Sequence, residues 1–286
     1  MRAPAPVLPT GVRPRAATLG AVIELLTGSR VTVLTGAGIS TDSGIPDYRG
    51  PDSPVRVPMT YQQFVADPDF RRHYWARNHV GWRHVHRTEP NAGHRALAAL
   101  ERRGIVQGVI TQNVDRLHHV AGSRTVVDLH GSYAEVVCLA CGHRVTRAAL
   151  AQRLEAMNPT FADVHAVSDA EIAPDADAVL ATTEGFRVAD CEVCGGMLKP
   201  DIVYFGETVP KARAQRCYDL VDAADALLVA GSSLTVMSGL RFVRHAATTG
   251  KDVVIVNRGA TRGDPQATLT LDAGCSETLE VLAATL

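Results

Sequence analysis

Four cysteines arranged as two matched pairs give the most direct chemical signal in this sequence. Cys138 and Cys141 are separated by two residues, as are Cys191 and Cys194, and a glycine directly follows each pair. This spacing lets two thiolates reach one ion, and the glycine permits the tight turn that completes the loop. Four thiolates leave no coordination position for water, so the pattern predicts one structural zinc ion. Two unrelated pairs, or a redox-active pair, are the alternatives.

A second signal comes from small and polar residues that directly follow apolar runs. In an open parallel sheet, ligands bind beyond the carboxyl ends of the strands. Glycine amides can approach a phosphate there, while Asn, Asp and Ser side chains suit ribose hydroxyls and an amide. The pattern therefore predicts a nucleotide site. The candidate residues are Gly36, Ala37, Gly38, Ser40, Gln112, Asn113, Asp115, Gly206, Glu207, Gly231, Ser232, Ser233, Asn257 and Gly259.

His130 is the candidate general base among the 11 histidines of the chain. It stands at the end of an apolar run, at the predicted ligand edge of the sheet. An imidazole with an ordinary pKa of about 6.5 can accept a proton near neutral pH. The alternative is a surface histidine or a hydrogen-bonded core histidine.

The elements that must position these residues alternate between short apolar runs and helical patterns. One such pattern covers residues 92–104, with Asn91 as its N-terminal cap and Gly104 as its end; another covers residues 211–225. Alternation of this kind predicts an α/β, Rossmann-like doubly wound parallel sheet. The predicted strands cover residues 31–35, 106–111, 125–130, 202–205, 226–230 and 252–257.

Two insertions interrupt this predicted sheet. One is rich in aromatic residues and histidine, and the other begins and ends at the cysteine pairs. The predicted organisation is a disordered tail (1–19), a nucleotide-binding domain (20–53, 89–136 and 198–286), a helical insertion with a cofactor loop (54–88) and a zinc-binding module (137–197).

Composition sets the remaining expectations. The 286 residues carry a net charge of −1, so there is no general electrostatic reason to bind nucleic acid or an anionic membrane. No apolar run is long enough to span a bilayer, and we find no secretory signal. Six cysteines without such a signal argue against a disulfide framework and favour metal binding or redox chemistry. Arginine outnumbers lysine 26 to 3, which indicates a GC-rich genome, so we expect a protein of the bacterial cytoplasm.

The segment "GAGISTDSGIPDYRG" (36–50) departs from the dinucleotide fingerprint, because Thr41 stands where a third glycine is expected. Together with "TQNVD", "LHGS", the cysteine pairs, "KPDIVYFGE", "GSSLTV" and "VNRG", it resembles the sirtuins, the NAD-dependent protein deacylases. The resemblance runs from about residue 20 to the C-terminus. The stretch "YWARN" and the long zinc-module insertion resemble the class II branch, which includes many bacterial proteins.

The resemblance implies that NAD is a co-substrate whose nicotinamide is removed. An acyl-lysine protein is the other substrate, and the products are free lysine and O-acyl-ADP-ribose. His130 would deprotonate a ribose hydroxyl, assisted by Asn113 and Asp115. The segment with Val203, Phe205, Gly206 and Glu207 would pair with the peptide as an added strand. Further NAD-binding residues implied by the resemblance are Asp47, Tyr48, Arg49 and Cys275, beside the strand-end residues named above.

Tyr74 and Arg77 are spaced i, i+3 on a predicted helix, and so share a face. They resemble the Tyr-x-x-Arg pair with which desuccinylating sirtuins hold a carboxylate-bearing acyl group. The alternative is a core tyrosine and a solvated arginine. Transfer of ADP-ribose to a protein side chain also remains open as a second activity of the same cleft. Asp47 and Arg49 could equally be a solvated loop pair.

Overall fold

The computed structural model describes residues 15–47, 59–165, 180 and 182–286. Within those ranges the strands are β1 (Arg15–Ala16), β2 (Val31–Thr35), β3 (Val106–Thr111), β4 (Val126–Asp128), β5 (Gly131–Cys138), β6 (Arg144–Thr146), β7 (Leu198–Ile202), β8 (Ala226–Ala230), β9 (Asp252–Val256) and β10 (Leu269–Leu271). The α-helices are α1 (Leu19–Leu26), α2 (Tyr61–Ala66), α3 (Pro68–Val85), α4 (Ala92–Arg102), α5 (Leu117–Val120), α6 (Arg147–Met157), α7 (Phe161–Val164), α8 (Lys211–Ala223), α9 (Met237–Thr248) and α10 (Cys275–Thr285).

The larger sheet has the strand order β1-β10-β9-β8-β2-β3-β4, and every neighbouring pair in it is parallel. From β2 the chain proceeds to β3 and β4 on one side, and it returns at β8 on the other side of β2. The direction of winding therefore reverses between β2 and β8. In open α/β sheets, a crevice for ligands lies at this point, beyond the carboxyl ends of the strands.

Helices cover both faces of this sheet. On one face, α1, α4 and α10 pack against β2, β3, β8 and β9 through residues such as Val33 and Leu97. On the other face, α8 and α9 pack through residues such as Leu34 and Phe242. Val33 and Leu34 are adjacent and buried on opposite faces, as a strand covered on both sides requires. The predicted doubly wound α/β fold is confirmed.

Helix α4 begins and ends where the sequence predicts. The Asn91 side chain accepts a hydrogen bond from the His94 amide at 3.3 Å, which satisfies one of the unpaired amides of the first turn. Gly104 has φ +78°, in the left-handed region that favours glycine after a helix.

The two predicted insertions form one common hydrophobic core. Phe64 and Trp75, from α2 and α3, are buried together with Tyr133, Leu154 and Leu198 from the region of the cysteine pairs. An antiparallel sheet with the order β6-β5-β7 contributes residues of β5 and β7 to this core. The insertions therefore make a single small lobe beside the parallel sheet.

This lobe corrects two boundaries. Strands β5 and β7 extend it to Gly131–Ile202, beyond the predicted module at 137–197. The run "IVYF" was predicted as a strand of the parallel sheet, but Ile202 ends β7 in the antiparallel sheet, and Val203 and Tyr204 follow it as a loop. A short apolar run does not specify which sheet it joins, because both environments bury it.

The predicted disordered tail (1–19) extends too far, because its last residues belong to the fold. Arg15 and Ala16 pair with Leu269 and Thr270 as the edge of the parallel sheet, and α1 begins at Leu19 with Thr18 as its cap. Residues 1–14 lie outside the described ranges. Among the helices that are described, none is both long and apolar enough to cross a bilayer.

Candidate active site

A cavity of about 430 Å³ opens where the winding of the parallel sheet reverses. The turns after β2, β3 and β8 form one side of it, and the segment after β7 forms the other. Tyr48 and Arg49, two of the predicted NAD-binding residues, lie outside the described residues. The predicted site residues that line the cavity are Gly36, Ala37, Gly38, Ser40, Asp47, Gln112, Asn113, Asp115, His130, Val203, Phe205, Gly206, Glu207, Gly231, Ser232, Ser233 and Asn257.

The glycine turns after β2 and β8 touch each other backbone to backbone. A Cβ at Gly36 would lie 2.8 Å from the Gly231 carbonyl oxygen, and one at Gly231, where φ is +67°, would lie 2.4 Å from the Ile39 amide nitrogen. The Gly38 amide donates to the Gly231 oxygen at 2.9 Å, and the Gly231 amide donates to Val256 at 3.0 Å. These amides are therefore used inside the protein. Glycine is required here for the contact between the turns, whereas the sequence suggested an approach to phosphate.

Asn113, Ser40 and Asp115 form a hydrogen-bonded network at the end of β3. The Asn113 amide group donates to the Gly36 oxygen and to Ser40 Oγ, both at 3.0 Å, and Ser40 Oγ donates to Asp115 at 2.8 Å. The Leu117 amide donates to the other Asp115 oxygen at 2.9 Å. Burial raises the pKa of the Asp115 carboxyl, and these donors oppose the rise. The network fixes an amide and a carboxyl group at the cavity wall.

His130 lies between β4 and β5 and is held through both ring nitrogens. Nδ1 is 2.9 Å from the Gln112 carbonyl oxygen, and Nε2 is 2.7 Å from Ser238 Oγ. The pKa of the imidazole is lowered to about 4, mainly by burial and further by the charges of Arg213 and Arg241, while the bond to Gln112 opposes the shift. The ring is therefore a neutral base at neutral pH, as a proton acceptor must be.

Gln112, which follows β3, connects the end of β2 with the turn after β8. Its side-chain amide donates to Ser232 Oγ at 2.7 Å, and its backbone amide donates to the Thr35 oxygen at 3.0 Å. Ser232 Oγ also accepts from the Leu234 amide at 3.2 Å. Because the Gln112 carbonyl holds His130, the residue couples the base to the turn after β8.

The opposite wall of the cavity is the segment 203–207. The Val203 amide donates to the His130 carbonyl oxygen at 2.7 Å, and Phe205 makes a parallel bridge with Thr60. Beneath this wall Lys199, which the sequence analysis missed, is only 3% exposed and forms an ion pair with Glu207 at 3.0 Å. The same Glu207 carboxylate accepts the Tyr204 amide at 2.9 Å. An ion pair between a buried lysine and a half-buried glutamate thus holds the wall.

Two predicted NAD-binding residues are not among those that line the cavity. Gly259 lies in the loop after β9, and its amide donates to Asp272, which follows β10, at 3.0 Å. Cys275 begins α10, is 5% exposed, and its thiol lies 3.9 Å from the Val256 oxygen. Burial raises the pKa of the Cys275 thiol to about 12, so it is an unreactive core thiol.

Tyr74 and Arg77 do not line the cavity either, although α3 places them one turn apart as predicted. Tyr74 is 2% exposed and packs edge-on against Tyr204, one layer behind the cavity wall. An Arg77 guanidinium nitrogen lies 3.2 Å from His73 Nε2. The aromatic core of the small lobe draws Tyr74 inward, so recognition of an acidic acyl group by this pair has no support in the geometry.

The cysteine pairs come together as predicted. All four sulfurs lie within 4.8 Å of one another, with Cys138 and Cys194 3.5 Å apart and Cys141 and Cys191 3.8 Å apart. Tetrahedral zinc with bonds of about 2.3 Å separates its sulfurs by about 3.8 Å, so the four thiolates fit one zinc ion. A hydrogen bond from the Cys141 amide is the main cause that lowers the pKa of the Cys138 thiol to about 6, whereas a hydrogen bond with the Cys141 side chain is the main cause that raises the pKa of the Cys194 thiol to about 12. The geometry of the four sulfurs, and not these pKa values, supports the zinc site.

Gly196 is a further requirement of this site. A Cβ there would lie 2.9 Å from Cys138 Sγ and 2.7 Å from the Ala140 side chain. The glycines at 142 and 195 instead have positive φ and open space around them, as the turns require.

A sequence model described as the Sir2 family matches residues 36–238, a segment that contains both cysteine pairs and every cavity residue from Gly36 to Ser238. The chain belongs to the Sir2 family. The chain is 65% identical over 263 residues to NAD-dependent protein deacetylase 1 of Mycobacterium avium, an alignment that covers 92% of this chain and 93% of the relative. It is 57% identical to NAD-dependent protein deacetylase 1 of Streptomyces coelicolor, over 88% of this chain and 84% of the relative.

Solved Sir2 structures share the fold. A structure titled "Structural Basis for the Mechanism and Regulation of Sir2 Enzymes" aligns with a TM-score of 0.73 and 30% identity, covering 93% of this chain and 96% of that chain. A structure titled "Sir2-p53 peptide-NAD+" aligns with a TM-score of 0.68 and 33% identity, over 93% and 97% of the two chains. The predicted family is therefore confirmed.

Cavity residues that the sequence analysis missed include Met59, Ser238 and Arg241. Ser238 and Arg241 lie in the first turns of α9, within the sequence "VMSGLR" that follows "GSSLT". The available signal was the position of this segment directly beyond the carboxyl end of β8.

Proposed function

We propose that this Sir2 family member is an NAD-dependent protein-lysine deacetylase. It would consume NAD and an acyl-lysine protein, and release nicotinamide, O-acyl-ADP-ribose and free lysine. The observation that carries the proposal is the neutral base His130, half-buried in a cleft between the two glycine turns and the 203–207 wall. Relatives that share up to 65% of this sequence over most of both chains bear the same activity in their names.

NAD supplies a ribose carbon from which nicotinamide can leave, and the protein supplies orientation and a base. Asn113 and Asp115 would orient the nicotinamide ribose and amide, since Ser40 and the Gly36 oxygen fix them at the cavity wall. The turn at Ser232 and Ser233 would hold phosphate and adenine ribose. His130 would accept a proton from a ribose hydroxyl when that hydroxyl attacks the acyl group.

The acyl-lysine peptide would lie against the 203–207 wall. Val203 and Phe205 line the cavity, and Phe205 is 39% exposed, which leaves an apolar surface for an acyl-lysine stem. The peptide backbone would add to this segment as an extra strand. The Lys199–Glu207 pair under the wall would keep it in the receptive shape.

The four cysteine thiolates would hold one zinc ion with no open position, so its contribution is structural. Gly259, Cys275, Tyr48 and Arg49 remain predicted NAD contacts that the described cavity does not include. We propose a cytoplasmic location, in keeping with reduced cysteines that form no disulfide among the described residues.

Mass spectrometry of the products tests this function. The enzyme is incubated with NAD and an acetyl-lysine peptide, beside succinyl- and glutaryl-lysine peptides. The expected products are nicotinamide, free-lysine peptide and O-acyl-ADP-ribose in equal amounts. His130→Ala should lower turnover by at least about 100-fold, the lower end of a general base contribution, while calorimetry shows NAD binding retained.

His119→Ala is the matched control, because His119 pairs with Asp128 at 3.0 Å and does not line the cavity. It should keep wild-type turnover. A peptide or protein that gains ADP-ribose, with no free lysine formed, would replace the proposed function with ADP-ribosyl transfer.

A further inference from the structure

Ser238 contacts His130, the proposed proton acceptor of the site, directly. It is the second residue of α9, it lines the cavity, and its Oγ lies 2.7 Å from His130 Nε2. The residue is 9% exposed, so its hydroxyl has little access to water. His130 is the hydrogen-bond partner that the structure gives this hydroxyl.

The direction of this hydrogen bond follows from the other ring nitrogen. A carbonyl oxygen can only accept, so the 2.9 Å contact with Gln112 places the single proton of the neutral imidazole on Nδ1. Nε2 then carries a lone pair, and the Ser238 hydroxyl must be the donor. A hydroxyl, a base and a third group that orients the base form the arrangement that activates hydroxyl groups in enzymes.

This arrangement constrains the proton transfer. The Nε2 lone pair that would accept the ribose proton already accepts the Ser238 proton. A direct transfer would require the serine hydroxyl to leave Nε2 and stay buried without its partner, which is costly for a polar group. A transfer through the hydroxyl keeps every group hydrogen-bonded.

We propose that Ser238 is a catalytic proton relay between the substrate ribose hydroxyl and His130, an inference that rests on the proposed deacetylase function. The ribose O–H bond breaks and its proton bonds to Ser238 Oγ, while the original Ser238 proton bonds to His130 Nε2. Serine ends as a neutral hydroxyl, the imidazole becomes imidazolium, and the ribose oxygen uses its electron pair to attack the acyl carbon. Electrons and protons balance without another reactant.

Three variants test the relay: Ser238→Ala, Ser238→Thr, and Ser276→Ala as a matched control. Ser276 is also the second residue of a long helix and also 9% exposed, but its buried Oγ has no partner among the described residues. Ser238→Thr keeps a hydroxyl at the relay position. Circular dichroism and NAD calorimetry verify that each variant folds and binds the co-substrate.

Two rates are then measured in single turnovers with NAD and acetyl-lysine peptide. Ser238→Ala should release nicotinamide at the wild-type rate but form O-acetyl-ADP-ribose at least about tenfold more slowly, a part of the base contribution of 10²–10⁴. Ser238→Thr should restore most of that rate, and Ser276→Ala should match the wild type. The slow step should show a curved proton inventory in H₂O/D₂O mixtures for the wild type, from two moving protons, and a linear one for Ser238→Ala.

A ligand-free measurement completes the design. In histidine-labelled enzyme, the ¹⁵N resonance of His130 Nε2 should shift in Ser238→Ala and stay in place in Ser276→Ala. Wild-type formation of O-acetyl-ADP-ribose by Ser238→Ala, or an unchanged curved inventory, would overturn the relay even if the wild type is a deacetylase. Failure of the wild type itself to form O-acetyl-ADP-ribose would instead refute the proposed function.

Discussion

His94 gives a stability prediction that depends on pH. Its ring is fully buried, 4.8 Å from the ring of His118, and Nδ1 lies 3.0 Å from Asn91 Oδ1. Because the Asn91 oxygen accepts, the proton is on Nδ1, and Nε2 has no hydrogen-bond partner among the described residues. A second proton would therefore be placed on a buried nitrogen that faces no acceptor. Burial, helped by the charge of Arg95, lowers the pKa of His94 to about 4.

The magnitude follows from proton linkage. An unfolded histidine has a pKa of about 6.5, so between pH 6.5 and 4 the unfolded chain binds more protons than the folded one. The stabilisation that the neutral ring contributes is then fully present above pH 6.5, and the free energy of unfolding falls as the pH decreases towards 4. For a folded pKa of about 4, the loss from His94 alone is about 2 kcal/mol at pH 5 and about 3.4 kcal/mol at its limit.

Urea unfolding of the wild type and His94→Gln at pH 7.5, 6 and 5 measures this loss. The variant will have a lower stability at pH 7.5, because it repacks a buried site. Its decrease between pH 7.5 and pH 5 should nevertheless be smaller than that of the wild type by about 2 kcal/mol. The comparison of slopes cancels the cost of repacking. Parallel pH dependences for the two proteins would refute the assignment of a neutral, low-pKa imidazole to His94.

Three further predictions concern the metal site, the peptide wall and the base. Cys138→Ser should reduce bound zinc from one ion per chain to none by atomic absorption, and lower the melting temperature, since structural zinc binding contributes about 10–16 kcal/mol; zinc retained at one equivalent would exclude a four-thiolate site. Lys199→Met should leave the Glu207 carboxylate without its ion-pair partner and raise the peptide KM more than the NAD KM, with Lys199→Arg closer to the wild type; equal changes in both KM values would count against a role at the wall. Because the pKa of His130 is about 4, kcat/KM for NAD should change less than twofold through His130 between pH 7.5 and 5.5, whereas a pKa of about 6.5 would cost roughly tenfold.

The sequence was sufficient for the centre of the sheet and insufficient for its edges. The strands β2, β8 and β9 are short runs of β-branched and other apolar residues that are buried on both faces almost throughout, and such runs are distinctive. Strand β1 has two residues and β10 has three partly buried ones, so neither leaves a pattern. The joint core of the two insertions was also invisible, since no local periodicity records which distant segments pack together.

The residues of the candidate site also fall into those that the sequence predicts and those that it does not. Gly36, Asn113 and His130 could be predicted because they stand within two residues of a strand end, and topology alone brings strand ends to one edge. Ser238 was missed because its partner, His130, is more than 100 residues away in the sequence. Lys199 was missed because its partner, Glu207, lies in a loop that folds back over it. No local pattern in the sequence indicates either contact.

The common core of the small lobe has a consequence for biosynthesis. Helices α2 and α3 leave the ribosome before β5, and their partners on β7 follow more than 100 residues later. Until then Phe64, Trp75 and Val80 have no completed core to enter, so a nascent chain exposes an aromatic surface. Contacts of such long sequence separation close slowly, because the entropy of the intervening loop must be lost first. Zinc capture by the last cysteine pair would then complete the lobe late in folding, which makes metal supply during synthesis a determinant of yield.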